Sequence, residues 1–254
     1  MKILQLIDGL GIGGAQKLLV GFSLAARTRG HDITVMSLNN SSDSPIESEL
    51  RSLGVPVHLL GGTGMLDIRR YRDLIRFLNR ERFDIVHTHL LTANILGGVA
   101  VHLSGTPAVG SLHNTDPWRG RNANVKQWLE YLILRRWTRR TIAVGHIVAD
   151  RHAEKLRPAA LDVVPNAVPL LDPLPADERR QLRVELAGDA DRPIVLTLGR
   201  LTRQKGYDVL LEAFAAVHQS HPEACLLIAG SGPDHEALTV LLASLGLQEH
   251  ARLL

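Results

Sequence analysis

Apolar positions recur with two different periods along this chain. A period of about two residues predicts strands, and a period of about 3.6 residues predicts helices between them. One predicted helix keeps its apolar side chains on a single face, and Gly30 is placed to end it. The apolar positions of that helix are Ala15, Leu18, Leu19, Phe22, Ala25 and Ala26. A second helical stripe consists of Ile68, Tyr71, Leu74, Ile75 and Leu78.

Short apolar runs predict strands through the first two thirds of the chain. The predicted strands are Lys2–Ile7, Ile33–Leu38, Val55–Leu60, Asp84–His87, Ala108–Leu112, Thr141–Val144 and Leu161–Val164. Helical stretches separate most of them. This alternation predicts an α/β fold, in which helices cover both faces of a parallel sheet.

Proline marks a boundary after this first unit. The prolines at 158, 165, 169, 173, 175 and 193 crowd one window around a short charged helix near Ala176–Ala187. A second alternating unit follows, with strands at Ile194–Leu198 and Cys225–Ala229 and a third strand starting within Ala251–Leu254. Its predicted helices are Tyr207–Gln219 and Asp234–Leu245. We predict domains over residues 1–168 and 193–254, joined by a linker with a short helix over 169–192.

Composition excludes several classes of protein. With 45% hydrophobic and 22% charged residues, the chain is not a disordered, collagen-like or disulfide-scaffold sequence. The single cysteine, Cys225, cannot form an internal disulfide and suits a reducing compartment. The first residues lack the pattern of a signal peptide. We therefore expect a cytoplasmic protein, with peripheral contact to the inner face of a membrane left open.

The charge is distributed unevenly. Residues 1–168 carry 21 Lys and Arg against 14 Asp and Glu, whereas residues 169–254 carry 8 against 12. A basic first half suits an anionic substrate, a membrane face or nucleic acid, although it also serves simple solvation. Zinc-finger spacing and ribonucleoprotein motifs are absent, and aromatic residues make up only 4%. We therefore expect no nucleic-acid partner.

Residues 9–14 read GLGIGG, which fits the G-x-G-x-x-G pattern between a strand and a helix. A dinucleotide site also needs an acidic residue about twenty positions on, but the second strand ends in SLNN. The nicotinamide interpretation is therefore weak. We predict a loop that faces another kind of ligand through Gly13 and Gly14, with a plain tight turn as the alternative.

Two cations follow the first strand of the second unit. Arg200 and Lys205 lie in a glycine-flanked loop, where they could neutralise a diphosphate leaving group. The alternative is a pair of solvated surface charges. Gly230, Ser231 and Gly232 follow the next strand, where the backbone could pass close to a nucleotide, and a plain turn is nearly as well supported.

Histidines supply the remaining candidate chemistry. His113 follows a strand and could bond a sugar hydroxyl or a phosphate, or simply its own loop. His87 and His89 lack a third ligand with convincing spacing, so we expect no metal site. Asp189 and Asp191 form an Asp-x-Asp pair that suits a solvated turn better than a metal.

The segment Val125–Arg140 mixes tryptophans with arginines. Such a segment could dock on anionic lipid, although a core-facing helix with a basic end explains it better.

Taken in order, six segments resemble glycosyltransferase family 4, a group of GT-B enzymes. The matching segments are residues 13–17, 29–35, 83–89, 163–168, 198–206 and 227–233. The resemblance implies two Rossmann-like domains, of which the second is incomplete here. It also implies sugar transfer from a nucleotide-sugar donor to a saccharide or lipid-linked acceptor, with retention at the anomeric carbon and without a metal or other cofactor.

The resemblance assigns roles residue by residue. Arg200 and Lys205 match the pair that holds the donor diphosphate, and His113 matches the catalytic-site histidine near the transferred sugar. Gly13 and Gly14 match the loop that faces the cleft. The remaining nucleotide-binding candidates are Gly199, Gly230, Ser231 and Gly232.

The match has departures and rivals. Gln16, Gly145 and Ala167 stand where many members have Glu, Ser and Gly, and the family's Glu-x7-Glu segment would lie beyond Leu254. We therefore expect little or no turnover and weakened donor binding by residues 1–254 alone. The rival hypotheses are a nucleotide-sugar epimerase, a non-catalytic partner subunit and, more distantly, a dinucleotide oxidoreductase.

Overall fold

The computed structural model describes residues 1–40, 44–62, 64–115, 122–156, 160–168 and 172–254. Pro158 and Pro169 of the predicted boundary window lie outside these ranges. The chain divides into two compact units, Met1–Leu170 and Leu171–Leu254. Each unit is an α/β structure built on a parallel sheet, which confirms the predicted fold class.

The first unit contains a sheet of seven parallel strands in the order β3-β2-β1-β4-β5-β6-β7. The strands are β1 Lys2–Ile7, β2 Asp32–Ser37, β3 Val57–Leu59, β4 Ile85–His89, β5 Ala108–Leu112, β6 Arg140–Ala143 and β7 Leu161–Val163. The helices are α1 Gly14–Arg27, α2 Pro45–Ser52, α3 Ile68–Glu81, α4 Leu91–Ser104, α5 Ala123–Trp137 and α6 His146–Ala153. The chain direction of the strands places every loop after a strand at one edge of the sheet.

Alternate residues of the central strands fill two cores. Leu4 and Leu6 pack with Leu74 of α3 and Leu96 of α4 on one face. Ile7 and its neighbours pack on the other face, against Leu19 of α1 and Leu50 of α2. The period-two pattern of β1 therefore becomes burial on both sides, as a sheet covered by two helical layers requires.

Several predicted strand boundaries in this unit were wrong by one or two residues. The strand predicted at Asp84–His87 is β4, which continues to His89 and so carries two histidines on one face. The strand predicted at Val55–Leu60 is only Val57–Leu59, because the proline at 56 has no N–H for a ladder. The strand predicted at Thr141–Val144 is β6, Arg140–Ala143, so Arg140 at the end of the segment Val125–Arg140 lies outside α5, which ends at Trp137.

The second unit contains three parallel strands in the order β10-β9-β8. Its elements are α7 Ala176–Ala187, β8 Ile194–Leu198, a 3-10 turn Arg203–Lys205, α8 Tyr207–Ser220, β9 Cys225–Ala229, α9 His235–Ser244 and β10 Ala251–Leu253. Leu226 and Ile228 of β9 are buried against α8 and α9. Strand β8 forms an edge, and its Leu196 and Leu198 are 61% and 82% exposed.

Within the described part of the chain, none of the helices has the length and apolar character that crossing a bilayer demands.

Candidate functional site

Three histidines gather where β4 and β5 end. His87 and His89 are two residues apart on β4, so their rings lie on the same face of the sheet. The two ring centroids are 4.0 Å apart. Nε2 of His113, just past β5, lies 3.1 Å from Nδ1 of His89. The structure thus brings the predicted site residue His113 together with His87 and His89.

Burial keeps all three imidazoles neutral at neutral pH. It lowers the pKa of His87 to about 3, with a smaller contribution from His113. It also lowers the pKa of His113 to about 4 and that of His89 well below its ordinary range. Neutral rings act as hydrogen-bond donors and acceptors rather than as cations. Within the described ranges, no group of three or more His, Cys, Asp or Glu side chains is arranged to hold a metal ion.

Two buried side chains, the amide of Asn94 and the acid of Glu130, form a hydrogen-bonded network at the end of β5. The side-chain nitrogen of Asn94 on α4 donates to the carbonyl oxygen of Ser111 at 3.1 Å and to Oε1 of Glu130 at 2.7 Å. Gln127 donates to the other carboxyl oxygen of Glu130 at 3.1 Å. Burial raises the pKa of Glu130 to about 7. This network holds the strand two residues before His113.

A second contact holds the loop just after His113. The Asn114 carbonyl can only accept a hydrogen bond, so Nε2 of His152 donates to it, at 2.8 Å. The other ring nitrogen of His152 then accepts from the hydroxyl of Tyr131, at 2.7 Å. His113 therefore lies between two anchored carbonyl groups. A cavity of about 10 Å³, room for about one water molecule, adjoins this turn.

Asp8 links the first strand to α4. Its carboxylate accepts from the backbone N–H groups of Ala93 at 2.6 Å and Thr92 at 3.2 Å. Burial raises the pKa of Asp8, against the opposing effect of these hydrogen bonds. A carboxylate beside the N-terminus of a helix also suits the helix dipole. Asp8 therefore fixes the position of α4, and with it Asn94.

The glycine loop leads into α1. Gly13 has extended backbone and Gly14 begins the helix, with neither a capping side chain nor an acid in the first turn. The amide of Gln16 turns back to donate to the Gly9 carbonyl at 3.1 Å. A Cβ on Gly14 would meet nothing within 4 Å. The fold itself therefore does not require glycine at this position. Because no side chain caps the helix, its first N–H groups are open to a ligand.

The predicted cations lie at the carboxyl edge of the second sheet. The side chains of Arg200 and Lys205 are exposed, and neither has a hydrogen bond or ion pair with any described residue. Cε of Lys205 lies 4.0 Å from the point where a Cβ on Gly199 would stand, so the lysine side chain turns back over the end of β8. The Tyr207 hydroxyl is 2.8 Å from that same point.

The glycines after β9 have a structural role of their own. A Cβ on Gly230 would stand 1.9 Å from the carbonyl oxygen of Gly199, and one on Gly232 would stand 2.2 Å from that of Leu201. The Leu201 N–H donates to the Ser231 carbonyl at 2.9 Å. The two loops after the strands therefore touch backbone to backbone. The plain-turn explanation accounts for these glycines, and nucleotide binding by them stays a prediction.

Sequence reasoning missed Gln5, Asp8, Asn94 and Glu130. Gln5 could have been noticed as a polar residue inside the apolar run KILQLI, and Asp8 as an acid directly after a strand. Asn94 and Glu130 gave no comparable signal, because they sit on helices and meet only after packing.

Solved structures of similar fold define the class. Anabaena HepE, crystallised with UDP-glucose, matches with a TM-score of 0.83 at 20% identity over 100% of this chain and 68% of that one. A glycosyltransferase of Rickettsia africae matches with a TM-score of 0.77 at 17% identity over 100% of this chain and 67% of its own. The chain has the GT-B fold class.

Models of two protein families match the sequence. Residues 12–170 match Glycosyltransferase Family 4, and residues 178–254 match Glycosyl transferases group 1. The chain belongs to glycosyltransferase family 4.

Curated relatives bear related names. An Escherichia coli UDP-Gal:alpha-D-GlcNAc-diphosphoundecaprenol alpha-1,3-galactosyltransferase is 27% identical over 74% of this chain and 50% of its own. An alpha-maltose-1-phosphate synthase of Mycolicibacterium smegmatis is 31% identical over 64% of this chain and 44% of its own. The chain thus spans about half the length of these two relatives.

Proposed function

We propose that this chain belongs to a retaining glycosyltransferase that moves a sugar from a nucleotide-sugar donor to a saccharide or lipid-linked acceptor in glycan or cell-envelope polysaccharide synthesis. The observation that carries the proposal is the pair Arg200 and Lys205, two exposed cations on one loop after a strand, with no partner among the described residues. Cations without a partner at this edge of a parallel sheet suit a bound diphosphate.

The proposed chemistry needs no metal or other cofactor. Arg200 and Lys205 stabilise the charge that grows on the departing nucleotide diphosphate. The bond from the anomeric carbon to phosphate oxygen breaks, and a bond to the acceptor oxygen forms on the face that the leaving group vacates. The acceptor proton passes to the departing phosphate, so no side chain has to form a covalent intermediate. His113 orients the sugar through a hydrogen bond.

The names of relatives support the classes of donor and acceptor. The Escherichia coli relative is named for a UDP-galactose donor and a diphosphoundecaprenol acceptor. A Propionibacterium freudenreichii relative, 25% identical over 87% of this chain and 58% of its own, is named a phosphatidyl-myo-inositol mannosyltransferase. We infer the same classes here, a nucleotide sugar and an acceptor that includes a lipid.

A lipid-linked acceptor favours contact with the inner face of the membrane by a cytoplasmic protein, and α5 offers the surface for it. Val125 and Trp128 are each 63% exposed, and Arg135 and Arg136 are exposed further along the helix. With 3.6 residues per turn, these four positions fall within about 100° of one another. Basic residues beside an exposed tryptophan suit an anionic lipid surface.

Donor binding is tested by titration calorimetry of residues 1–254 with UDP. Arg200→Ala and Lys205→Ala should each weaken binding roughly 10- to 100-fold, since a hydrogen bond to a charged group contributes about 1.5–3 kcal/mol. The matched control is Arg203→Ala, another exposed cation of the same loop. It should change the affinity less than about threefold. Equal affinity of the Arg200→Ala, Lys205→Ala and Arg203→Ala variants for UDP would contradict the assignment.

Membrane contact is tested by sedimentation with vesicles of phosphatidylglycerol or phosphatidylcholine. The chain should bind only the anionic vesicles, and a Trp128→Ala, Arg135→Ala double variant should lose most of that binding. Arg179→Ala, an exposed position on α7, is the control. Equal binding of the double variant and the wild type would remove α5 from the proposal.

Product analysis separates transfer from epimerisation. A transferase needs an acceptor to consume its nucleotide sugar, whereas an epimerase converts the nucleotide sugar without one. Conversion of UDP-glucose to another nucleotide sugar in the absence of acceptor would favour the epimerase.

A further inference from the structure

A chain of hydrogen bonds runs from the interior of β1 to the rim of the sheet. Gln5 lies on β1 and is fully buried, and its Oε1 is 2.6 Å from Nε2 of His89. Nδ1 of His89 lies 3.1 Å from Nε2 of His113. The three residues share one face because β4 pairs in parallel register with both β1 and β5.

Elementary donor and acceptor rules place the protons along this chain. An amide oxygen only accepts, so Nε2 of His89 carries the hydrogen that Gln5 receives. A neutral imidazole holds a single N–H, which leaves Nδ1 of His89 as an acceptor. Nε2 of His113 must then carry the hydrogen that His89 accepts. Burial supports this assignment, because it lowers the pKa of both His89 and His113 and keeps the rings neutral.

One nitrogen of His113 remains available. Its Nδ1 has a lone pair and makes no hydrogen bond within the described ranges, and the ring is half-buried. We propose that Gln5 and His89 are positioning residues that lock His113 in its Nε2–H tautomer, so that Nδ1 accepts a hydrogen bond from a ligand hydroxyl. The identity of that ligand as a sugar rests on the proposed function, whereas the tautomer does not.

The tautomer of His113 decides whether its Nδ1 accepts or donates a hydrogen bond. In the opposite tautomer, Nδ1 of His113 would donate and would suit a phosphate or carbonyl oxygen instead. Reaching that tautomer requires the proton of His89 to move to Nδ1 and the Gln5 amide to rotate, so that its NH2 group donates to Nε2 of His89. In the structure the Gln5 amide presents its oxygen to His89, while its Nε2 is buried and unpaired within the described ranges.

The test is a long-range proton–nitrogen spectrum of the 254-residue chain labelled with ¹⁵N histidine. Single substitutions of His87, His89 and His113 assign the resonances. We expect His89 and His113 each to show a protonated Nε2 and an unprotonated Nδ1 at neutral pH. A protonated Nδ1 on His113 would overturn the proposal.

A variant then tests the coupling. Gln5→Leu removes the acceptor and places an apolar side chain in an apolar strand, so we expect it to fold, which near-ultraviolet circular dichroism checks. Both His89 and His113 should lose their single-tautomer pattern. Gln219→Leu, at an exposed position of α8 outside this chain of hydrogen bonds, is the matched control and should leave both patterns intact. A change at His89 without one at His113 would contradict the coupling, as would no change at either ring.

Addition of UDP-glucose separates the tautomer from the ligand. An Nδ1 resonance of His113 that shifts on addition, while Nε2 keeps its proton, supports acceptance of a hydrogen bond from the sugar. An unshifted Nδ1 would overturn the ligand-facing role and count against the proposed function. It would leave the tautomer lock standing, because that part is read without any ligand.

Discussion

The side-chain nitrogen of Asn94 donates a hydrogen bond of 2.7 Å to Oε1 of Glu130, and both side chains are buried. Asn94 also accepts from the Thr88 hydroxyl at 2.6 Å and donates to the Ser111 carbonyl. One amide thus ties two strands to two helices directly beneath the His113 turn. Replacement of either partner leaves an N–H of Asn94 or the Oε1 atom of Glu130 buried without this hydrogen bond, which is costly.

Replacing Glu130 with Gln should remove a pH-dependent loss of stability. In the unfolded chain this acid ionises near its ordinary value of 4.5, whereas in the fold its pKa is about 7. Stability is therefore lost as pH rises from 4.5 to about 7, at about 1.4 kcal/mol per pH unit. Urea unfolding of E130Q should show this slope reduced by that amount. Glu154→Gln, at an exposed acid, should keep the wild-type slope.

His87 should produce the opposite dependence. Its folded pKa of about 3 lies below the ordinary value of 6.5, so its stabilising contribution is complete above pH 6.5 and is lost as pH falls towards 3. His87→Gln should flatten the acid side of the stability profile by up to about 1.4 kcal/mol per pH unit. Chemical unfolding across this range measures the difference. An identical effect of His146→Gln, at an exposed histidine, would show that burial is not the cause.

The two glycine loops should respond differently to alanine. Gly230 has a φ of +153°, and its Cβ would stand 1.9 Å from a backbone oxygen, so Gly230→Ala should destabilise the second unit by about 2–3 kcal/mol. Gly14→Ala meets nothing within 4 Å and lies in a helix, where alanine is favoured over glycine by about 1 kcal/mol. Thermal unfolding of the two variants checks both signs. Any loss of ligand binding by Gly14→Ala would then reflect the site rather than the fold.

The exposed face of β8 should make the 254-residue chain associate with itself. Leu196 and Leu198 point the same way along an edge strand and are 61% and 82% exposed. Apolar side chains on an open strand edge are a docking hazard in water. Leu196→Lys with Leu198→Lys should lower the weight-average mass in sedimentation at high concentration. Leu66→Lys, which changes a leucine of the first unit that is 92% exposed, should leave that mass unchanged.

The periodicity of apolar residues was sufficient to predict most of the strands and helices. The predicted Lys2–Ile7 and Ala108–Leu112 strands and the Ala176–Ala187 helix match β1, β5 and α7 residue for residue. The run Ala251–Leu254 contains β10. Errors occurred at element ends, where pairing with a neighbour decides the last residues. His89 is the consequential case, because pairing with Ile7 and Ser111 extends β4 to include it.

By itself, the sequence determined the alternation of strands and helices and the residues that follow strand ends, His113 and Arg200 among them. A parallel sheet brings such positions to one edge, so local pattern predicts them. Only the tertiary structure decided which polar groups meet. Gln5 and His89 are 84 residues apart, and Asn94 and Glu130 are 36 apart. Burial and donor geometry, which set their protonation, exist only once the sheet and helices have packed.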